Sequence, residues 1–104
     1  MGDKEIGDKK DDALTFVLIA RIPPEGVEAF RAYEDQVLPV LSEHGGRLQR
    51  RLRNELGTVE LHILSYPSDA AHQKYRGDPR RTAAAPLLDS SAAKLELLSL
   101  RDVH

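Results

Sequence analysis

The 104-residue chain has no cysteine, which excludes disulfides, thiolate metal sites and cysteine nucleophiles. Long apolar runs are absent too. The longest lies around residues 13–20, far short of the roughly 20 residues that a membrane-spanning helix needs. No apolar segment of signal-peptide type occurs near the N-terminus, so the expected location is the cytoplasm. Net charge is almost nil. The formal value of −2 is carried by the first twelve residues, where Asp3, Glu5, Asp8, Asp11 and Asp12 face only Lys4, Lys9 and Lys10. The rest balances 12 basic against 12 acidic side chains, which gives no electrostatic footprint for nucleic acid or for an anionic membrane.

Several catalytic signatures are missing as well. No Gly-rich phosphate loop follows a strand, because Gly45-Gly46 reads as a helix ending. Ser90-Ser91 lack a G-x-S-x-G setting, which argues against a serine hydrolase. No two histidines stand at i, i+4, and no His/Asp/Glu cluster has metal-ligand spacing. Neither a metal nor a cofactor is therefore expected.

What is present organises well. Residues 1–12 have little to bury and are expected to be a disordered charged tail, followed by one domain over 13–104. Leu14–Ile22 reads as a strand, stopped by Pro23-Pro24, which also open a helix. In that helix Val27, Phe30, Tyr33, Val37, Val40 and Leu41 form one apolar stripe, with a kink expected at Pro39. Gly45 is the natural left-handed cap. Arg47–Arg53 is a second strand and Asn54–Gly57 a hairpin loop. Val59–Tyr66 is a third strand. Ser68 is placed to cap a helix over 69–76, and Asp78-Pro79 to open another over 79–89. Lys94–Leu100 is the last strand. The order β-α-β-β-α-β is the split, ferredoxin-like arrangement, an α+β fold with a four-stranded antiparallel sheet.

The first strand is apolar on both faces. Phe16, Leu18 and Ala20 point one way, Val17 and Ile19 the other. Beneath the helices we expect Phe16, Leu18, Leu48, Leu52, Val59, Leu61, Ile63, Leu95 and Leu97. The opposite layer is expected to hold Val17, Ile19, Leu64, Tyr66, Leu98 and Leu100, interrupted by His62, Gln49 and Arg51. An apolar second face of this size needs cover, which points to a homodimer with its two sheets facing each other.

Three stretches carry a family resemblance: His44-Gly-Gly-Arg-Leu48, Leu61-His-Ile-Leu-Ser-Tyr-Pro-Ser68 and Tyr75-Arg-Gly-Asp-Pro-Arg80. Over roughly residues 14–101 the chain resembles the dimeric α/β-barrel superfamily. That superfamily includes the antibiotic-biosynthesis monooxygenases, and the chain looks most like a small uncharacterised branch of it. Lys74-Tyr75 stands where that branch often carries Trp-Tyr, and Arg80-Arg81 where a second aromatic often follows the proline. The resemblance implies a dimeric α/β barrel and one of several chemistries. A cofactor-free oxygenase or isomerase of a small hydrophobic or aromatic molecule is one reading. A non-catalytic ligand-binding or scaffold dimer is the other.

His62 is the sharpest candidate residue. It shares a face with Tyr66 and can meet Arg51 across the hairpin, so it could serve as general acid or base. In the catalytic reading Tyr66 and Tyr75 orient the substrate and Arg51 stabilises an enolate-like anion. The alternative is a histidine hydrogen-bonded within the dimer barrel. Tyr33, Tyr75 and Arg47 are candidate substrate-binding residues, with core packing the alternative for Tyr33. His44 is placed to favour the C-terminal end of the first helix. His72 matches in placement the haem-ligating histidine of some superfamily members, yet Gln73, Lys74 and Arg76 around it predict a solvent-facing side chain.

Overall fold

The computed structural model describes residues 13–103; the expected disordered tail, residues 1–12, and His104 lie outside the described residues. The chain runs β1 (Leu14–Arg21), a 3-10 turn (Pro24–Gly26), α1 (Val27–Glu43), β2 (Arg47–Arg53), β3 (Val59–Tyr66), α2 (Asp69–Arg76), α3 (Pro79–Ser91) and β4 (Lys94–Leu100). The four strands form one sheet in the order β2-β3-β1-β4, with every neighbouring pair antiparallel. This is the expected ferredoxin-like α+β fold, with its second helical segment divided at Gly77-Asp78.

Local chemistry explains the boundaries. Gly45 takes φ of +78° after α1, a left-handed conformation that glycine adopts without a Cβ clash. The Gly46 N–H then reaches back to the Leu41 carbonyl at 3.0 Å, satisfying one of the helix's last acceptors. Ser68 Oγ accepts from the Ala71 N–H at 3.1 Å and Asp78 Oδ1 from the Arg80 N–H at 2.9 Å, so both expected caps are in place. α1 continues through Pro39. α3 continues through Pro86 to Ser91, two residues beyond the expected end, and closes at Ala92 with φ of +55°.

All the helices lie on one face of the sheet. Phe16, Leu18 and Ala20 are paired with Leu64, His62 and Glu60 on β3, and Leu18 and Ala20 with Leu97 and Leu95 on β4. The core divides into two clusters. Phe16, Val40, Leu41, Leu64, Tyr66 and Tyr75 form one; Ala20, Ile22, Phe30, Tyr33, Val37 and Ala84 form the other.

The register corrects the expected sorting of faces. On β3 it is Glu60, His62, Leu64 and Tyr66 that are buried beneath the helices, while Val59, Leu61 and Ile63 point away. The more apolar alternate of β3 thus faces out. Its polar alternate can be buried because Glu34, Arg51 and Arg53 supply counter-charges. On β2 the register shifts between Leu48 and Arg50. That bulge inverts the strand's phase, leaving Leu48 and Arg51 beneath the helices and Leu52 on the open face. The open face therefore carries Val17, Ile19, Leu52, Leu61, Ile63, Leu98 and Leu100, without His62 or Arg51. Leu52, Leu98 and Leu100 remain 42%, 37% and 47% exposed.

Candidate functional site

Between the covered face of the sheet and the three helices lies a cavity of about 200 Å³. An engineered apolar cavity of roughly 150 Å³ holds benzene, so this one suits a single substituted ring. Leu18, Phe30, Val37, Leu64, Leu95 and Leu97 supply apolar wall; Tyr33, Glu34, His62, Tyr66, His72, Tyr75, Arg76 and Arg81 supply the polar groups.

α1 points Phe30, Tyr33, Glu34 and Val37 inward because they stand at i, i+3, i+4 and i+7 of one helical stripe. Glu34, only 2% exposed, is thereby brought over Glu60 and His62 of β3. Glu60 Oε1 accepts from Arg51 Nε at 2.8 Å and from His62 Nε2 at 2.7 Å, and Glu60 Oε2 accepts from Arg53 Nε at 2.9 Å. Glu34 Oε1 accepts from Arg51 Nη2 at 2.9 Å. Glu34 Oε2 lies 3.1 Å from His62 Nε2, but it is buried without a well-aligned hydrogen bond. Ionised carboxylates only accept, so His62 Nε2 carries the proton that faces Glu60. His62 Nδ1 has no hydrogen-bond partner among the described residues.

The charges settle unequally. Burial pushes the Glu34 carboxyl up, and Glu60 adds to that rise while His62 opposes it. Burial works the same way on Glu60, but Glu34 close beside it and hydrogen bonds from His62, Arg51 and Arg53 outweigh it and hold this carboxyl well below the usual range. Burial alone would lower His62; its bonds to Glu34 and Glu60 win and raise it. Glu60 is thus the fixed anion of the cluster, while Glu34 and His62 hold their protons more tightly than in water.

This predicts a pH dependence. The raised His62 contributes stability that is fully present below its unfolded value near 6.5 and is lost as pH rises through the folded value. Glu34, also raised, acts in the same direction from its unfolded value near 4.5. Glu60 works oppositely: its contribution is present above 4.5 and vanishes only in strong acid. Urea midpoints should fall between about pH 6 and pH 9 in the wild type, and that slope should flatten in His62→Gln. Equal slopes in the two proteins would remove His62 as its source.

The second polar group lies around Arg81. Its Nη2 donates to the Tyr33 hydroxyl at 3.2 Å, and its guanidinium carbon stands 4.7 Å from the Tyr75 ring centre, a cation–π distance. The Tyr75 hydroxyl donates to the Val37 carbonyl at 3.3 Å. Tyr66 packs against Phe16 and His72, with ring centres 5.8 and 4.7 Å away, and burial raises its phenol.

The structure distributes the expected site residues unevenly. His62, Tyr66, Tyr33 and Tyr75 line the cavity together. Arg51 pairs with His62 across the hairpin as expected, but it is absent from the cavity wall and its guanidinium is taken by Glu60 and Glu34. Arg47 is exposed on the open side of β2, opposite Ser65. His72 is buried against Phe16 and Tyr66, not solvent-facing. Burial, with Arg76 nearby, lowers its pKa. His44 Nε2 meets Asp78 Oδ2 at 2.9 Å, tying the end of α1 to the start of α3.

Sequence spacing also missed one cluster. Donor atoms of Glu34, Glu60 and His62 lie within 4.8 Å of one another. The donor types suit a cation, yet Arg51 and Arg53 already bond the carboxylates and supply the positive charge there. An added divalent ion would meet that charge at close range.

No protein-family model and no curated protein sequence matches the chain. Solved structures do match, at identities that speak to the fold alone. A candidate antibiotic biosynthesis monooxygenase from Caulobacter crescentus has a TM-score of 0.69 at 15% identity, covering 88% of this chain and 92% of its own. SnoaB, a cofactor-independent oxygenase from Streptomyces nogalater, has a TM-score of 0.65 at 18% identity, covering 88% and 96%. RPA0582, a protein of unknown function from Rhodopseudomonas palustris, has a TM-score of 0.65 at 20% identity, covering 97% and 93%. This chain shares the ferredoxin-like fold of these monooxygenase-like and uncharacterised proteins. Among the described residues, no helix is long and apolar enough to cross a membrane.

Proposed function

We propose that this protein is a homodimeric, cofactor-free oxygenase or isomerase that takes a proton from a small hydrophobic or aromatic substrate held in the cavity. The observation that carries this reading is His62 in the cavity wall with Glu60 hydrogen-bonded behind it. Glu60 pins one ring nitrogen of His62 at 2.7 Å and leaves Nδ1 to act. A permanently ionised carboxylate behind an imidazole fixes its orientation and stabilises the imidazolium once formed. The neutral form of His62, populated as pH rises through its raised pKa, would draw a proton from a substrate C–H or O–H onto Nδ1. The Tyr66 hydroxyl, whose proton burial holds firmly, would donate to the resulting anion. In an isomerase the proton returns to a different substrate atom. In an oxygenase the anion passes an electron to dioxygen, the one co-reactant, the radical pair joins in a C–O bond, and the peroxide anion takes back the proton from His62 to leave a hydroperoxide.

Arg51, given an anion-stabilising role by the sequence, becomes a positioning residue in this scheme, because it meets Glu60 and Glu34 and not the cavity. The likeness of fold to SnoaB supports the oxygenase branch by analogy. The test is dioxygen uptake and ultraviolet–visible change across a panel of quinols and enolisable cyclic ketones. Wild-type turnover of at least one compound should drop by about a hundredfold or more in His62→Ala. Equal turnover in both proteins removes His62 as the base, and ligand binding without any turnover leaves the cavity a binding site only.

A further inference from the structure

The guanidinium of Arg81 is charged, partly buried and missing an anion. Its Nη2 donates to the Tyr33 hydroxyl at 3.2 Å and its Nη1 to the Arg76 carbonyl at 3.4 Å, both neutral acceptors. Its Nε–H is buried without an acceptor. No carboxylate lies within ion-pair distance of Arg81 among the described residues. Neighbouring Arg80 shows the contrast, since it points outward to Glu43 and Asp78. A guanidinium turned inward with an idle N–H is costly unless something completes it.

The cavity offers little to do so. Its wall includes Arg76 and Arg81 as fixed cations and a single carboxylate, Glu34. That carboxylate is already met by Arg51 at 2.9 Å and His62 at 3.1 Å. The Tyr33 hydroxyl, while accepting from Arg81, still has its own proton to donate. The Arg81 guanidinium, still without an anion, and the Tyr33 O–H together offer the donors that a carboxylate takes. The Leu18–Leu97 strand pair and Phe30 supply an apolar wall in the same cavity.

We infer that the cavity takes a small ring-bearing carboxylic acid as its anion, the carboxylate held by the Arg81 guanidinium and the Tyr33 hydroxyl and the ring lying against Leu18, Phe30 and Leu97. This deepens the proposed function by naming a substrate class, and it rests on the cavity being a small-molecule site. It stands independently of His62 chemistry.

Benzoate and its uncharged isostere benzamide separate these points when each is titrated into ¹⁵N-labelled full-length protein and followed by NMR. Benzoate should shift cavity-lining amides and bind about tenfold or more tightly than benzamide. Arg81→Gln should weaken benzoate far more than benzamide and so erase that preference, and Tyr33→Phe should reduce it. Should Arg81→Gln fail to fold, the wild-type benzoate-to-benzamide ratio and Tyr33→Phe decide. Equal affinity for the two compounds, or an undiminished preference in a folded Arg81→Gln protein, overturns the carboxylate inference and leaves the cavity reading standing. Neither compound perturbing the cavity overturns both.

Discussion

Replacing Glu60 by alanine should cost about 3–5 kcal/mol of folding stability, the usual penalty for removing one partner of a buried charge cluster. The reason is its position. Glu60 is 1% exposed and accepts from Arg51, Arg53 and His62 at once. Without it, three donors turn toward a site where only Glu34 remains, and Glu34 is itself raised by burial. A loss of this size is a large fraction of the roughly 5–15 kcal/mol that a domain possesses, and urea denaturation would measure it. Glu60→Gln keeps the shape and removes the charge, so it should cost less and should lower the titration midpoint of His62, read by NMR. A Glu60→Ala protein within about 1 kcal/mol of wild type would mean that the cluster is solvated.

Val17→Arg should turn the proposed dimer into a monomer. Val17 sits at the middle of the open face, paired with Ile63 on one side and Leu98 on the other. Seven large apolar side chains share that face, and covering each is worth up to about 1.5–3 kcal/mol. An arginine at its centre would be desolvated without a partner in a sheet-to-sheet interface. The cavity and core lie on the other face of the sheet, so the variant should keep its fold. Analytical ultracentrifugation at micromolar concentration should give a wild-type dimer and a Val17→Arg monomer. A monomeric wild type, or a variant that stays dimeric, contradicts the face-to-face arrangement.

Element order was legible because its punctuation is strong. Pro23-Pro24, Gly45-Gly46, Ser68 and Asp78-Pro79 each act through local backbone chemistry, and each stands at a boundary of the fold. The phase of β3 was harder to read. Both of its alternates contain large apolar residues, so hydrophobicity favours Leu61 and Ile63 for the core. The deciding charges come from Glu34 on α1 and Arg51 on β2, and that is tertiary information. On β2 the bulge after Leu48 leaves no trace in a run of Arg, Gln and Leu. Glu34 did carry a signal. It falls on the stripe Phe30, Glu34, Val37, Leu41, an acid at an apolar position, which marks a buried polar group. His72 was hidden by its polar neighbours, although it stands three residues before Tyr75 on the buried side of α2. Arg80 and Arg81 are adjacent and chemically identical; the turn of α3 alone sends one outward and one into the cavity.

Oxygenation and isomerisation share one step, removal of a substrate proton by His62, and hydrogen–deuterium exchange reads that step without knowledge of the product. Enolisable ring compounds, including ring-bearing carboxylic acids, would be incubated with protein in D₂O under nitrogen, and loss of the acidic C–H signal followed by proton NMR. The proposed function predicts exchange above the buffer rate for at least one compound with wild-type protein, and the buffer rate with His62→Ala. Exchange at the buffer rate for every compound, or the same enhanced rate in both proteins, would contradict it.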